Sequence, residues 1–360
     1  MIKDAGLALD IGTTTVQAQL VDLQTGELID FYSAFNEQRV FGQDVITRIS
    51  MAQNGKLDEL FYAINNQVQG ILDHFINKYK LAKISKCAVS ANTTMLHLFC
   101  RIDPSSMGRS PYTPVFLQER SFCGSELSLS AEKITLLPGV SAFIGADIVS
   151  GLAFVDIMNT EKKLEAPSSI FIDIGTNGEI AVWNNDEILC CSAAAGPCFE
   201  EAQINFAMNA SEFIDVIAEI KRKSLIDETG TLTCEYKGIT QKDVRQFQLA
   251  KSAIYSGIKM ICKNSKLDAE NPGAVYIAGG LGEHINLENA EYLGLLPGWA
   301  NLPPAKIHIC GNTSLKGAVK SLTDSGFMER CRGIIERART MDLAGDKYFA
   351  AAFERNMWFK

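Results

Sequence analysis

The sequence predicts an α/β protein built from two copies of one β-β-β-α-β-α-β-α unit, and three observations carry that expectation. A strand ending in Asp-Ile-Gly-Thr and turning into a second strand occurs twice, at residues 7–21 and 170–183. After each copy the chain runs through the same order of strands and helices. Composition allows two folded lobes: 360 residues suit two ordinary domains, and 47% hydrophobic against 21% charged residues supply a core to each.

Residues 7–21 read LALDIGTTTVQAQLV and residues 170–183 read IFIDIGTNGEIAVW. Turns at 24–26 and 184–186 lead each second strand into a third, at 28–32 and 188–191, which makes an antiparallel meander. Helical sequence then starts at 44–49 and 199–204. A long amphipathic helix comes next in each half. The first spans 57–79, with Leu60, Ile64, Val68, Ile71, Leu72 and Phe75 on one face; the second spans about 244–263. Strands ending in small residues succeed them, at 87–91 and 274–278. A last strand and helix close each half, 134–137 into 145–148 and 307–309 into 314–318. This order, used twice, is the mixed-sheet, ribonuclease H-like fold shared by actin, sugar kinases and heat-shock ATPases, two lobes around a nucleotide cleft. The lobes are expected at 1–160 and 161–360, divided by the polar, Pro-ended run 161–167, with the C-terminal helices packing back on the first lobe. A polar stretch at 222–243 reads as an excursion within the second.

Charge excludes one class of function. A net charge of −8 argues against a nucleic-acid binder, which needs a basic face, but not against binding a single nucleotide. The N-terminus lacks a charged segment followed by a long apolar one, and no run reaches the 18 or more apolar residues of a membrane span. A soluble, cytoplasmic protein without a membrane partner is expected. Ten cysteines form no Cys-x-x-Cys pair and mostly sit in apolar runs, so they read as reduced, buried thiols rather than zinc or iron–sulfur ligands.

The chemistry is expected at the two Asp-Ile-Gly-Thr turns. Gly12, Thr13, Thr14 and Thr15 expose successive backbone N–H groups and hydroxyls, a nest for phosphate oxygens. Gly175, Thr176, Asn177 and Gly178 repeat the nest. One such loop is no more than a hairpin turn; two at matching points of a repeat can hold a triphosphate. Asp10 and Asp173, at the strand ends, would hold hydrated Mg2+ rather than touch phosphate, because like charges repel. Gly279, Gly280 and Gly282 stand at a strand-to-helix turn where backbone can approach adenosine closely. Gly196 suits close passage of a phosphate or ribose. Glu200 bonds ribose hydroxyls or merely favours the first turn of a helix, and the two readings stand even. Asp147 either orients a hydrolytic water or caps its helix. Asp44, Arg48 and Asn92 lie on first-half loops and are expected to face whatever the nucleotide acts on, although Asn92 also suits a cap and Arg48 a solvated charge.

With these segments in place, the chain resembles the C-terminal ATPase domain of the reductive activators of corrinoid proteins. The markers are LALDIGTTT, FGQDVITRI, VSANTTMLHLF with Asp103-Pro104, GRSPYTPV, LPGVSAFIGADIVSG, FIDIGTNGEI, AAGPCFEEA, IAGGLG and the closing segment 338–359. The resemblance implies an ATPase that uses ATP and Mg2+ to make reduction of a Co(II) corrinoid protein to Co(I) accessible. ATP supplies no electron and acts only by changing which conformations are stable. Such activators usually carry an N-terminal iron–sulfur domain; no matching cysteine set stands here, so the cluster is expected on another domain or subunit. The expected partners are a corrinoid protein and that donor, with a homodimer left open. Rival readings are a small-molecule kinase, a dehydratase-activator ATPase using Cys191 and Cys198, and a nucleotide-dependent scaffold.

Overall fold

A computed structural model describes residues 2–162, 168–175, 177–184, 187–196, 198–199, 208–281 and 285–359. The chain divides into two compact units, Met1–Lys163 with Thr313–Glu336 and Leu164–Asn312 with Arg337–Lys360.

In the first unit, β1 (Ala5–Ile11), β2 (Thr15–Asp22) and β3 (Leu28–Phe35) form the antiparallel meander. Parallel to β1 lies β4 (Ile84–Ala91), and parallel to β4 lies β6 (Ala131–Leu136). The short β5 (Arg120–Cys123) closes the edge, giving the order β3-β2-β1-β4-β6-β5. Central β1 is apolar up to Asp10 because both its faces are covered, whereas β2 alternates, burying Val16, Ala18 and Leu20 completely. The Leu57–Tyr79 helix buries all six of the residues its periodicity singles out. Each such side chain contributes roughly 1.5–3 kcal/mol. Gly55, at φ 82, separates this helix from the Val45–Met51 helix, and Lys80 in the left-handed region ends it.

Two further helices complete the unit. Ala146–Lys162 and Thr313–Thr323 cross closely, and a Cβ on Gly317 would lie 2.5 Å from the Ser150 carbonyl oxygen. Ser150 and Gly317 are each the fifth residue of their helix. By chain order the Thr313–Thr323 helix closes the second repeat; by packing it lies on β1 and β4 of the first unit.

The second unit repeats the scheme. Here β7 (Ser168–Ile174), β8 (Gly178–Asn184) and β9 (Glu187–Ala193) form the meander, with β10 (Ala274–Ala278) and β11 (Ile307–Gly311) added in parallel. The order is β11-β10-β7-β8-β9-β12, where β12 (Ala338–Thr340) runs parallel to β9. The two sheets share five strands in equivalent order and differ in the sixth. The Gln241–Asn264 helix starts from a capping box of Thr240 and Asp243 and buries Val244, Phe247, Ala250, Ile254, Ile258 and Ile261. The Lys347–Asn356 helix packs on it, and Lys251, fully buried, donates to the carbonyls of Asn356 and Trp358. The excursion at 222–243 forms two small antiparallel bridges, Ile226 with Leu232 and Tyr236 with Ile239. Of the helix expected at 199–204, residues after Phe199 lie outside the described residues. Among the described residues, no helix is long and apolar enough to cross a membrane.

Candidate functional site

The first Gly-Thr turn is held from beneath by side chains of its own unit. Gly12 donates its N–H to the Thr15 carbonyl at 2.9 Å, an approach so close that a Cβ on Gly12 would lie 2.7 Å from that oxygen. Asn36 donates its backbone N–H to Thr14 O at 2.7 Å and its Nδ2 to Gly12 O at 2.8 Å. Asn92 caps the Thr93–Phe99 helix by accepting from Met95 N and donates Nδ2 to Thr13 Oγ1 at 3.1 Å. Arg48 completes the support. Its Nε donates to Gly42 O at 3.0 Å, one terminal nitrogen to Gln38 Oε1 at 3.2 Å and the other to Thr13 O. With the loop's carbonyls satisfied from below, its amides are oriented rather than floppy.

Arg48 is therefore a correction to the sequence reading: it is fully buried and props the loop, so it is not a surface contact. Its charge is tolerated because several acceptors surround the guanidinium. Asp44 spends its carboxylate on a helix cap, accepting from Thr47 N and from Thr47 Oγ1, both at 2.8 Å.

Behind the loop lies a carboxylate pair. Asp10 ends β1, and Asp147 is the second residue of the Ala146–Lys162 helix. Loss of solvation and the charge of Asp10 push the Asp147 carboxyl up to about 7, although its Oδ1 accepts the Ile148 N–H at 2.8 Å. Ser314 Oγ donates to Asp10 Oδ1 at 2.7 Å and lies 2.9 Å from Ser90 Oγ, which lies 2.8 Å from Ser150 Oγ. Neither Ser314, Ser90 nor Ser150 stood out in the sequence. The available signal was a hydroxyl within the apolar run of β4 and another where two helices cross. Gly145 lets the loop before Asp147 press on β4, since a Cβ there would lie 2.6 Å from Asn92 Cα.

A divalent cation fits this pair in a particular way. No group of three or more His, Cys, Asp or Glu side chains able to hold a metal occurs among the described residues. Mg2+ usually takes only one or two carboxylates and keeps waters and phosphate oxygens, a demand that Asp10 and Asp147 are able to meet. Next to Ser314 in sequence, the buried Thr313 hydroxyl has no hydrogen-bond partner among the described groups.

In the second unit, Asp173 ends β7, and Gly175 donates its N–H to Asn177 O at 3.0 Å. Gly279 has φ 84 and its Cα comes so near that a Cβ would lie 2.5 Å from Asp173 Oδ1 and 2.7 Å from Ile174 O. Only glycine fits. Gly196 also has positive φ, 77, and among the described residues nothing lies within 4 Å of a Cβ built on Gly196 or on Gly280. Gly178 begins β8 against Ile254. Thr176, Glu200 and Gly282 lie outside the described residues.

Burial, the loss of solvation of a thiolate, pushes the thiols of Cys87, Cys100, Cys190, Cys262 and Cys331 up to about 12 and raises that of Cys191 well above its ordinary value. These are inert thiols in the interior, as small hydrophobes.

Two six-stranded mixed sheets that share five strands in equivalent order, each carrying an Asp-Gly turn after its first strand, define an ASKHA-type protein, the fold of actin, sugar kinases and heat-shock ATPases. The chain belongs to the RACo family. Residues 5–160 match the family description "RACo middle region", and residues 167–233 and 235–360 match "C-terminal domain of RACo the ASKHA domain". The "Corrinoid activation enzyme RamQ" of Eubacterium limosum is 28% identical over 98% of this chain and 70% of that protein. The "[Co(II) methylated amine-specific corrinoid protein] reductase" of Methanosarcina barkeri is 26% identical over 86% of this chain and 68% of that protein. A solved "Reductive activator for corrinoid,iron-sulfur protein" superposes with a TM-score of 0.89 at 28% identity, over 99% of this chain and 66% of that one. The chain thus spans about two thirds of the length of these relatives.

Proposed function

We propose that the chain binds ATP with Mg2+ and hydrolyses it to drive reductive reactivation of Co(II) corrinoid proteins to Co(I) in methyl-transfer systems. The observation that carries the reading is the Asp10–Asp147 carboxylate pair behind a braced Gly-Thr turn, in a chain whose relatives are named as corrinoid activators. In this reading the amides of Gly12–Thr15 and of Gly175, Thr176, Asn177 and Gly178 receive phosphate oxygens, while Asp10 and Asp173 hold hydrated Mg2+. Bound Mg2+ neutralises charge on the phosphates. Gly279, Gly280 and Gly282, with Gly196 and Glu200, take the adenosine side. Asp147 orients the water whose oxygen forms the new bond to the γ-phosphorus as the bond to the ADP oxygen breaks. Asn92 and Asp44 are proposed to lie on the surface that meets the corrinoid protein. The electron is proposed to come from an iron–sulfur domain or subunit, as the resemblance implies, so this chain contributes the conformational work and not the redox centre.

The test tracks the Co(II) absorption of a corrinoid protein with ATP and a chemical reductant. Co(I) should form only with ATP, and Asp10→Asn should abolish its formation. ATP-independent reduction would overturn the reading, and strict dependence of ADP release on a small acceptor would replace it with a kinase. Corrinoid-protein affinity should also differ between ATP and ADP, because a ligand shifts a conformational equilibrium only by its differential affinity.

A further inference from the structure

We propose that Ser314 is a positioning residue for Asp10, the last donor in a cluster of three buried hydroxyls that fixes the carboxylate for a nucleotide-bound divalent cation. The inference rests on the ATP–Mg2+ reading above and goes beyond it by assigning a role to a helix that chain order places in the other repeat.

Proton counting sets the direction of the contacts nearest Asp10. Each serine hydroxyl carries one proton. An ionised Asp10 carries none, so the 2.7 Å contact uses the proton of Ser314. The 2.9 Å contact between Ser314 and Ser90 then uses the proton of Ser90, and Ser150 has one proton to share between Ser90 Oγ at 2.8 Å and the Asp147 carbonyl oxygen. Ser150 stands 3.1 Å from the Asp147 carbonyl oxygen, in the helix that carries Asp147. All three serines are buried, Ser90 and Ser150 completely and Ser314 at 4% exposure. In such surroundings aligned hydroxyls polarise one another, and the last donor holds the carboxylate more firmly than an isolated serine would.

The arrangement is built, not incidental. Ser314 and Asp147 each stand second in helices that come after equivalent strands, β11 and β6. The repeat has thus put a hydroxyl where its counterpart carries the carboxylate, and both converge on Asp10. Gly317 makes this convergence possible: any side chain there would strike the Ser150 carbonyl and push the helix, with Ser314, away from β1. A group that orients a metal-holding carboxylate acts through it, and losing such a group typically weakens metal affinity by about tenfold or more.

The experiment measures equilibrium affinity of the full chain for a non-hydrolysable ATP analogue, with Mg2+ and in EDTA. Ser314→Ala should weaken binding about tenfold with Mg2+ and leave the EDTA value unchanged. Ser90→Ala, one step back in the chain, should show the same magnesium selectivity at about threefold. Wild-type affinity of Ser314→Ala in Mg2+, or equal losses with and without Mg2+, would reduce the residue to packing and overturn the proposal. If Ser314→Ala does not fold, Ser90→Ala decides in the same assay, and a loss of affinity without magnesium selectivity counts against it. Asp10→Asn separates the two levels. If Asp10→Asn binds like the wild type, the ATP–Mg2+ reading itself fails; if only Ser314→Ala does, that reading stands and this inference alone falls.

Discussion

The two Asp-Ile-Gly-Thr turns descend from one pattern but are stabilised by opposite means. In the first unit the turn rests on added side chains: Arg48, Asn36 and Asn92 reach in to satisfy Thr13, Thr14 and Gly12. In the second, room is made by a missing side chain. Gly279 follows Ala278, the partner of Asp173, as Ala91 follows Ser90, the partner of Asp10, and a Cβ on Gly279 would meet Asp173. The turns also differ in length. Residues 12–15 lie between the paired Ile11 and Val16, whereas only residues 175–177 lie between Ile174 and Gly178. The longer turn has more backbone carbonyls to satisfy, and Arg48 and Asn36 supply donors for them. A shared motif therefore fixes the backbone path into a turn but not the device that stabilises it.

This contrast can be broken from either side. The largest effect is expected from Arg48→Ala, which leaves the Thr13 and Gly42 carbonyls without their charged donor. It should cost about 3 kcal/mol and lower hydrogen-exchange protection in the first unit's loop while sparing the second unit. Equal loss in both units would contradict the assignment of Arg48 to one turn. Gly279→Ala should cost about 2 kcal/mol through strain at positive φ and contact with Asp173, with the loss now confined to the second unit. The reciprocal change Ala91→Gly should move no carboxylate, since Ala91 already fits.

The smallest effect separates the units by pH. His97 is fully buried, hydrogen-bonded at Nδ1 to Thr93 O at 2.7 Å and at Nε2 from Val115 N at 3.0 Å, and stacked on Phe116. Burial holds its pKa below the ordinary 6.5, with the nearby Arg120 charge acting in the same direction. The unfolded chain therefore takes up the proton first as pH falls. Stability that depends on neutral His97 is complete above about 6.5 and is lost progressively below it. The first unit should lose exchange protection before the second, whose His308 is only half-buried. His97→Gln should flatten this acid slope; an unchanged slope would place the titrating group elsewhere.

Much of the fold was legible because it rests on local pattern. The Leu57–Tyr79 helix, both meanders and the strand order follow from periodicities of 3.6 and 2 that the residues repeat, and burial of an apolar stripe leaves little choice. The edge strands β5 and β12 were not legible. At four and three residues they are too short to show a period; β5 pairs with its chain neighbour β6, and β12 with β9, a partner distant in sequence. At the site, Asp10, Asp147, Asp173 and the glycines announce themselves by motif. Arg48 does not, because a charged residue at a helix end looks solvated until the surrounding acceptors are known. The serine chain was invisible for the same reason, being assembled from β4 and two helices more than 150 residues apart.

The sequence by itself determined that this chain carries one α/β unit twice, each with an Asp-Gly turn after its first strand, because backbone periodicity and turn chemistry are local. Only the tertiary structure decided that the helix closing the second repeat packs in the first unit, with Ser314 against Asp10. The crossing at Ser150 and Gly317 leaves no room for a side chain at Gly317, and which surfaces fit so closely is a property of two helices together and of neither sequence alone.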